Sequence, residues 1–181
     1  MRCSWAENAD DVMRAYHDTE WAVPHHGANT LFELLCLEGA QAGLSWRTVL
    51  MRRDGYRAAF HGFDIARVAD MTDADLAGVL ATGGVIRHRQ KIWSVRANAR
   101  AALDIPDFDA FVWDFVDGRP IVNRRASPKD VPATTDISDR MSKVLKKRGF
   151  SFVGSTICYA FMQAAGMVDD HLTTCEVRGA V

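Results

Sequence analysis

Apolar residues recur along the chain at spacings of three and four, without sustained two-residue alternation, so the pattern predicts helices and an all-α fold. Thr30 and Glu33 spell a T-x-x-E capping box ahead of LFELLCLEGAQA, and Gly43 suits a left-handed stop after it. Ser45 is placed to cap the next helix, WRTVLMRRDGYRAAF, and Thr72 with Asp75 opens another that ends at Gly83-Gly84. From His88 to Leu103, Ile92, Val95, Ala99 and Leu103 form one stripe. Asp107 to Val116 reads as an aromatic-rich helix, and residues 117–135, with Pro120, Pro128 and Pro132, as a long surface loop. Ser138 is positioned to cap a basic helix reaching Arg148. After GFSFVG, residues 149–154, comes an apolar helix, STICYAFMQAAG, closed by Gly166. No internal repeat interrupts this order.

The 181 residues suit one compact domain, residues 1–181, or two closely packed helical lobes. A chain that is 48% hydrophobic and 25% charged can build a core, which excludes disorder as its main state. No apolar run approaches the ~18 residues of a membrane span. The opening MRCSWAE has no apolar signal region, so a cytoplasmic protein is expected. The 22 basic and 23 acidic residues exclude a uniform polycation. They are unevenly spread, however. Residues 87–100, RHRQKIWSVRANAR, and 140–148, RMSKVLKKR, each hold five Lys or Arg and no acid. Two such segments on an acidic body are suited to DNA phosphates, or are simply solvated helix faces.

The cysteines fall into two kinds. Cys36 and Cys158 sit in apolar helical stretches and read as buried thiols. Cys3 and Cys175 lie near opposite ends, each with a histidine nearby. His171 and Cys175, in H-x3-C spacing, would share one face of a helix. With Cys3 and His17 they complete a two-Cys, two-His set suited to one structural Zn2+, with no position left open for catalysis. A Cys3–Cys175 disulfide, or four unrelated residues near frayed ends, are the alternatives.

KKRGFSFVGST joins the basic and apolar helices through Gly149 and Gly154. Such a turn can bring backbone N–H groups against a phosphate, or serve as a plain inter-helix connection. AYHDTEW gathers Tyr16, His17, Glu20 and Trp21; CLEGAQAGLSW sets Glu38 in an apolar helix and ends at Trp46. A carboxylate there is costly unless it has a partner, and aromatic faces with one carboxylate suit a cationic planar ring. The competing account exposes Glu38 and buries the tryptophans in the core.

These pieces occur together, and in family order, in the 3-methyladenine DNA glycosylase I family. The chain resembles it through C-S-W, A-Y-H-D-x-E-W-x-V-P, LF-E-x-x-C-L-E-G-x-Q-A-G-L-S-W, I-R-H-R-x-K-I, K-K-R-G-F-x-F-V-G-x-T-I-C-Y-x-F-M-Q and V-x-D-H, from about Cys3 to Cys175. The resemblance implies a helix-hairpin-helix glycosylase fold, with the DNA-binding hairpin near 146–156. It implies hydrolysis of the N-glycosidic bond of N3-methyladenine in double-stranded alkylated DNA, by a monomer. It also implies that Cys3, His17, His171 and Cys175 hold zinc. By the same resemblance Glu38 and Tyr16 hydrogen-bond the base, Trp46 stacks on it, and Trp5 and Trp21 shape the pocket. Gly43 and Leu44 would plug the gap left by the flipped nucleotide, and Gly149, Gly154 and Ser155, with Lys146 and Lys147, would grip the backbone.

The chain departs from the family pattern at three places. The Cys3–His17 gap is one residue longer, Met13 stands where an aromatic is common, and Asp169 in V-D-D-H stands where Asn is frequent. Asp169 is therefore a candidate for stabilising the oxocarbenium-like sugar or orienting water, or else a cap beside a zinc ligand. Two other function classes compete with the enzyme reading. One is a damage-binding protein without turnover. The other is a zinc hydrolase, which a closed four-ligand site disfavours.

Overall fold

The computed structural model describes residues 1–177. Helices dominate it: α1 (Ser4–Glu7), α2 (Asp11–Thr19), α3 (Ala28–Gln41), α4 (Trp46–Leu50), α5 (Arg53–Ala59), α6 (Ile65–Ala69), α7 (Asp73–Ala81), α8 (Arg89–Leu103), α9 (Phe108–Trp113), α10 (Asp136–Lys147) and α11 (Ser155–Ala164). None is long and apolar enough to cross a membrane. The all-α expectation needs one amendment. Ile121–Val122 (β1) and Val168–Asp169 (β2) form a two-stranded parallel ladder, continued by a bridge between Arg125 and Leu172. Strands of two residues are too short for alternation to reveal.

The centre of the fold is α3. It is apolar on nearly every side, and Leu31, Phe32, Leu34, Leu35, Cys36, Leu37, Glu38, Gly39 and Ala40 are all buried. A helix with no polar face has to be surrounded; α4, α8, α9 and α11 pack on it. Its start differs from the expected capping box. Gly27, at φ +94°, is the N-cap and the helix begins at Ala28. Thr30 is exposed, and the Glu33 carboxylate is held by Arg57 at 2.7 Å. Its end agrees with expectation, since the chain leaves at Ala42 and turns through Gly43 at φ +77°.

Other boundaries differ from expectation in ways that local chemistry explains. Ser45 does cap α4, but the expected single helix breaks at Met51–Arg52 into α4 and α5. Thr72 and Asp75 form the predicted capping box. The stripe on α8 buries Ile92, Val95 and Ala99, whereas Leu103, in the last turn, is 53% exposed. Thr135, rather than Ser138, is the N-cap of α10; Ser138 closes the reciprocal side of that box. Gly166 is required where it stands. At φ +70°, a Cβ there would lie 2.2 Å from the Val23 carbonyl carbon. The contact is secured by hydrogen bonds from Ala22 N–H to Gln163 O and from His25 N–H to Ala165 O, both 3.0 Å. The end of α11 is thereby locked against the segment that carries Trp21.

Candidate active site

α2, α3, α4 and α11 converge on a cavity of about 430 Å³, lined by Trp5, Met13, Tyr16, Trp21, Glu38, Gln41, Trp46, Gln163 and Asp170 among others. The sequence reading puts Tyr16, Glu38, Trp46, Trp21 and Trp5 in one pocket, and the structure brings all five together. Met13, a departure from the family pattern, supplies part of the wall. The aromatic rings touch in series: Trp5 to Trp21 at 5.2 Å, edge to face, and Tyr16 to Trp46 at 5.4 Å. Glu20, from the same motif, points elsewhere and pairs with Arg53 at 3.0 Å.

Glu38 is 4% exposed. Burial disfavours its charged form and pushes its pKa up to about 8. The account in which Glu38 faces solvent is thereby set aside. Tyr16 is held above its ordinary range, first by burial and then by the proximity of Glu38. An aromatic cavity with one buried carboxyl favours a flat cation, whose charge restores the ionised carboxylate.

Beside the cavity, and sharing Trp5 and Trp21 as walls, lie the four residues expected to hold metal. Cys3, His17 and Cys175 are buried with their ligand atoms all within 4.8 Å of one another. The His171 ring stands 5.0 Å from that of His17 and 4.6 Å from Trp21. His17 Nδ1 lies 2.8 Å from Asp18, and Asp18 is held by Arg2 at 2.7 Å. His171 Nδ1 lies 2.7 Å from Asp169. A carboxylate accepts only, so both Nδ1 atoms carry a proton and Nε2 is the nitrogen each ring turns toward the cysteines; His17 Nε2 accepts from the Cys3 N–H at 3.3 Å. His171 Nε2 is buried without a hydrogen-bond partner among the described residues. The four cysteines are free thiols, so the disulfide alternative is not formed. One premise is corrected. His171 and Cys175 do not share a helix face; they sit on the bridge and turn that follow β2.

Asp169 does not line the cavity. Its carboxylate accepts from the His171 backbone N–H at 2.9 Å as well as from Nδ1, and so holds that residue in place. The acid that does reach the cavity is its neighbour. Asp170 is buried and receives Asn123, Arg125, Tyr159 and Gln163. Sequence reasoning singles out only the first acid of V-D-D-H. Two adjacent carboxyls in an apolar segment are nevertheless a sign that both have partners.

The expected DNA-contact residues form one neighbourhood. Gly43 and Leu44 are exposed at the rim, and Gln41 donates to the Leu44 carbonyl. The hairpin packs directly on the helix that bears Glu38: a Cβ added to Gly39 would lie 3.1 Å from Phe152 Cβ. Asn98 clamps the hairpin by two bonds to the Ser151 backbone, at 2.8 and 3.1 Å. Gly154 begins α11 without a side-chain cap, and Ser155 is turned back to Ser138 and Asp139. Lys146 and Lys147 are exposed at the end of α10. In the other basic segment Arg87, Arg89 and Arg100 are exposed and one cation, Lys91, turns inward. Lys91 is buried and donates to the carbonyls of Ala40 and Ala42 at 2.9 and 2.6 Å, capping the C-terminus of α3 just before Gly43. Arg96 pairs with Asp73 at 2.6 Å, and Arg100 donates to Ala69 O at 2.9 Å.

The methyladenine glycosylase family profile matches residues 5–179. DNA-3-methyladenine glycosylase 1 of Escherichia coli (strain K12) is 49% identical over 96% of this chain and 95% of its own length. A crystal structure of 3-methyladenine DNA glycosylase I superposes with a TM-score of 0.94 at 51% identity, covering 97% of this chain and 98% of that one. A structure of the Staphylococcus aureus enzyme, determined to explain 3-methyladenine recognition, superposes with a TM-score of 0.95 at 32% identity, covering 99% and 97%. Matched along nearly its whole length in sequence and in fold, this chain belongs to the methyladenine glycosylase family.

Proposed function

We propose that this enzyme hydrolyses the N-glycosidic bond of N3-methyladenine in alkylated double-stranded DNA, releasing the free base and leaving an abasic site. The observation that carries the reading is the buried Glu38 carboxyl in an aromatic cavity large enough for a purine. N3-methylation leaves the purine cationic, so the base departs as a neutral molecule and needs no strong general acid. The enzyme has to extrude the nucleotide, at a few kcal/mol of unstacking, and hold the base. Trp46 and Tyr16 offer ring faces, and Glu38 offers charge. Entry of the cation draws the proton off Glu38, and the resulting ion pair in a dry site strengthens as the base is enclosed. Water attacks C1′, the C1′–N9 electron pair returns to the base, and the water's proton goes to solvent.

Gly43 and Leu44 fill the gap in the duplex, while Lys146 and Lys147 present charge and Gly154 and Ser155 present the backbone N–H groups at the start of α11 to phosphates; Gly149, at φ +92° with its own N–H on the Lys146 carbonyl at 3.0 Å, makes the turn between them. The helix-hairpin-helix assignment rests on the α10–turn–α11 unit and its place against Glu38.

Cys3, His17, His171 and Cys175 are proposed to hold one structural Zn2+. Two thiols and two imidazoles make a tetrahedral donor set, and the orphaned His171 Nε2 and the carboxylates behind both rings fit it. Zinc would supply a cross-link between the chain's two ends and no chemistry on the substrate.

The test is incubation with methylated duplex, followed by chromatography for free 3-methyladenine. The enzyme reading expects release; a protein that only binds damage releases none, even at stoichiometric concentration.

A further inference from the structure

We propose that Lys91 is a positioning residue for base extrusion: by holding the Ala42 carbonyl, its buried ammonium sets the turn that carries Gly43 and Leu44 into the gap in the duplex. This rests on the proposed excision and on the role given there to Gly43 and Leu44.

The segment between α3 and α4 is a defined turn. Leu44 N–H donates to Gln41 O at 2.7 Å, Ala42 stands at φ −44° and ψ 117°, and Gly43 at φ +77°. Those angles make a type II turn, which needs a residue free to adopt positive φ in its third position. A type I turn over the same residues differs by the rotation of one unit, the peptide between Ala42 and Gly43. Both forms leave the ends of the turn in place, so the packing of the flanking helices does not by itself choose between them.

Lys91 does choose. Its Nζ donates to Ala40 O at 2.9 Å and to Ala42 O at 2.6 Å. The first bond caps the last turn of α3, as a cation at a helix C-terminus is expected to do. The second lies beyond the helix, on the carbonyl of the peptide that rotates. In a trans peptide the N–H and C=O point in opposite directions. With the Ala42 carbonyl drawn inward to a side chain 8% exposed, the Gly43 N–H faces out, on a residue that is itself exposed. Rotation would strip the buried ammonium of one acceptor and turn an oxygen toward the duplex instead. The far end of the turn is held too. Gln41, which lines the cavity, donates to Leu44 O, and Ser45 caps α4. The Leu44 side chain, 40% exposed, is left as the projecting group. The turn therefore meets the duplex already formed, and no ordering has to be supplied as the nucleotide leaves the stack.

The test compares Lys91→Met with the unmodified enzyme in two assays. Titration with free 3-methyladenine, followed by tryptophan fluorescence, reads the cavity and counts the correctly folded molecules. Release of 3-methyladenine from methylated duplex, per molecule so counted, reads extrusion and excision together. Methionine keeps most of the volume and removes the donor. Affinity for the free base should stay within about twofold, while release from duplex falls about tenfold. Leu44→Ala should slow release as well, and adding Lys91→Met to it should lower the rate by no more than about twofold further, because both changes act through one turn. Gly43→Ala reaches the same peptide if Lys91→Met does not fold. A Cβ there meets nothing within 4 Å, but φ +77° is unfavourable for alanine, so release should again fall with free-base affinity kept. Release by Lys91→Met or Gly43→Ala within about twofold of the unmodified rate overturns the assignment. So does a loss of free-base affinity that matches the loss of release, or losses that multiply in the double variant. Leu44→Ala at the full rate removes the gap-filling role, and no release by the unmodified protein removes the activity; either takes the assignment with it.

Discussion

Two hydrophobic clusters hold this molecule, and they are built on different principles. The larger one runs from Leu31 to Val168, with Phe32, Leu35, Ile92, Phe161 and Met162 fully buried between helices. The smaller gathers Cys3, Tyr16, Trp21, Ala22, Leu50, Leu172 and Cys175, drawn from the two ends of the chain and from α4. The first is ordinary burial of apolar area by helices whose stripes match. The second contains few aliphatic groups and short elements, with two thiols packed beside the His17 imidazole, and it forms the wall of the cavity. The pocket therefore draws on both: Glu38 is carried by the larger cluster, and Tyr16 and Trp21 belong to the one where metal is proposed.

Removing a ligand is the strongest way to break that comparison. Cys175→Ala should release the metal and lower the melting temperature sharply. The binding free energy of a structural zinc, on the order of 10 kcal/mol, sets the ceiling. Metal analysis that still finds one zinc per chain would refute the ligand set. Leu35→Ala, in the larger cluster, should cost about 2–5 kcal/mol in denaturant titration while the metal stays bound. Loss of metal in that variant would show that the two clusters are not separable.

Glu38→Gln separates recognition from stability. The folded-state pKa of Glu38 is raised to about 8 from an unfolded value near 4.5. Its contribution to stability is thus fully present below the unfolded value and is lost as pH rises through the folded one. The glutamine variant should lack that decline. It should be more stable than the unmodified enzyme at alkaline pH, by on the order of a few kcal/mol, and excise 3-methyladenine more slowly. Parallel stability curves from pH 5 to about 9 would show that burial does not disfavour this carboxylate.

The smallest effect on folding, and a selective one on DNA, should come from reversing Lys146 and Lys147. Stability should change by no more than about 0.5 kcal/mol. The slope of log affinity against log salt should flatten by about 2, one for each phosphate that is no longer neutralised. An unchanged slope would remove both lysines from the interface.

Helices with strong local signals are legible in the sequence. Thr72 with Asp75, Ser45 and Gly43 act where their side chains and backbone freedom predict. Misplaced boundaries share one cause, a long-range partner that outweighs a local one. Glu33 caps nothing because Arg57 holds it, and α3 starts early because the Gly27 N–H is taken by Asp109. In the site, motif residues spread over most of the chain are identified together by resemblance. Asp170 escapes it, because its place in the cavity wall is set by Asn123, Arg125, Tyr159 and Gln163, at separations no periodicity records.

Sequence alone determined which residue types are available: the helical stripes, the carboxyl within an apolar helix, the Cys and His pairs near each end, and two basic runs. These follow from spacing and side-chain chemistry, which are local. Tertiary structure decided what each charge does. Of two similar basic runs, 87–100 sends Lys91 inward to cap α3, while all five cations of 140–148, Lys146 and Lys147 at the hairpin among them, remain exposed. Of two adjacent aspartates, Asp169 supports a histidine and Asp170 reaches the cavity. The physical reason is that a charge's role is set by the partners and the dielectric around it, and both come from segments far away in the chain.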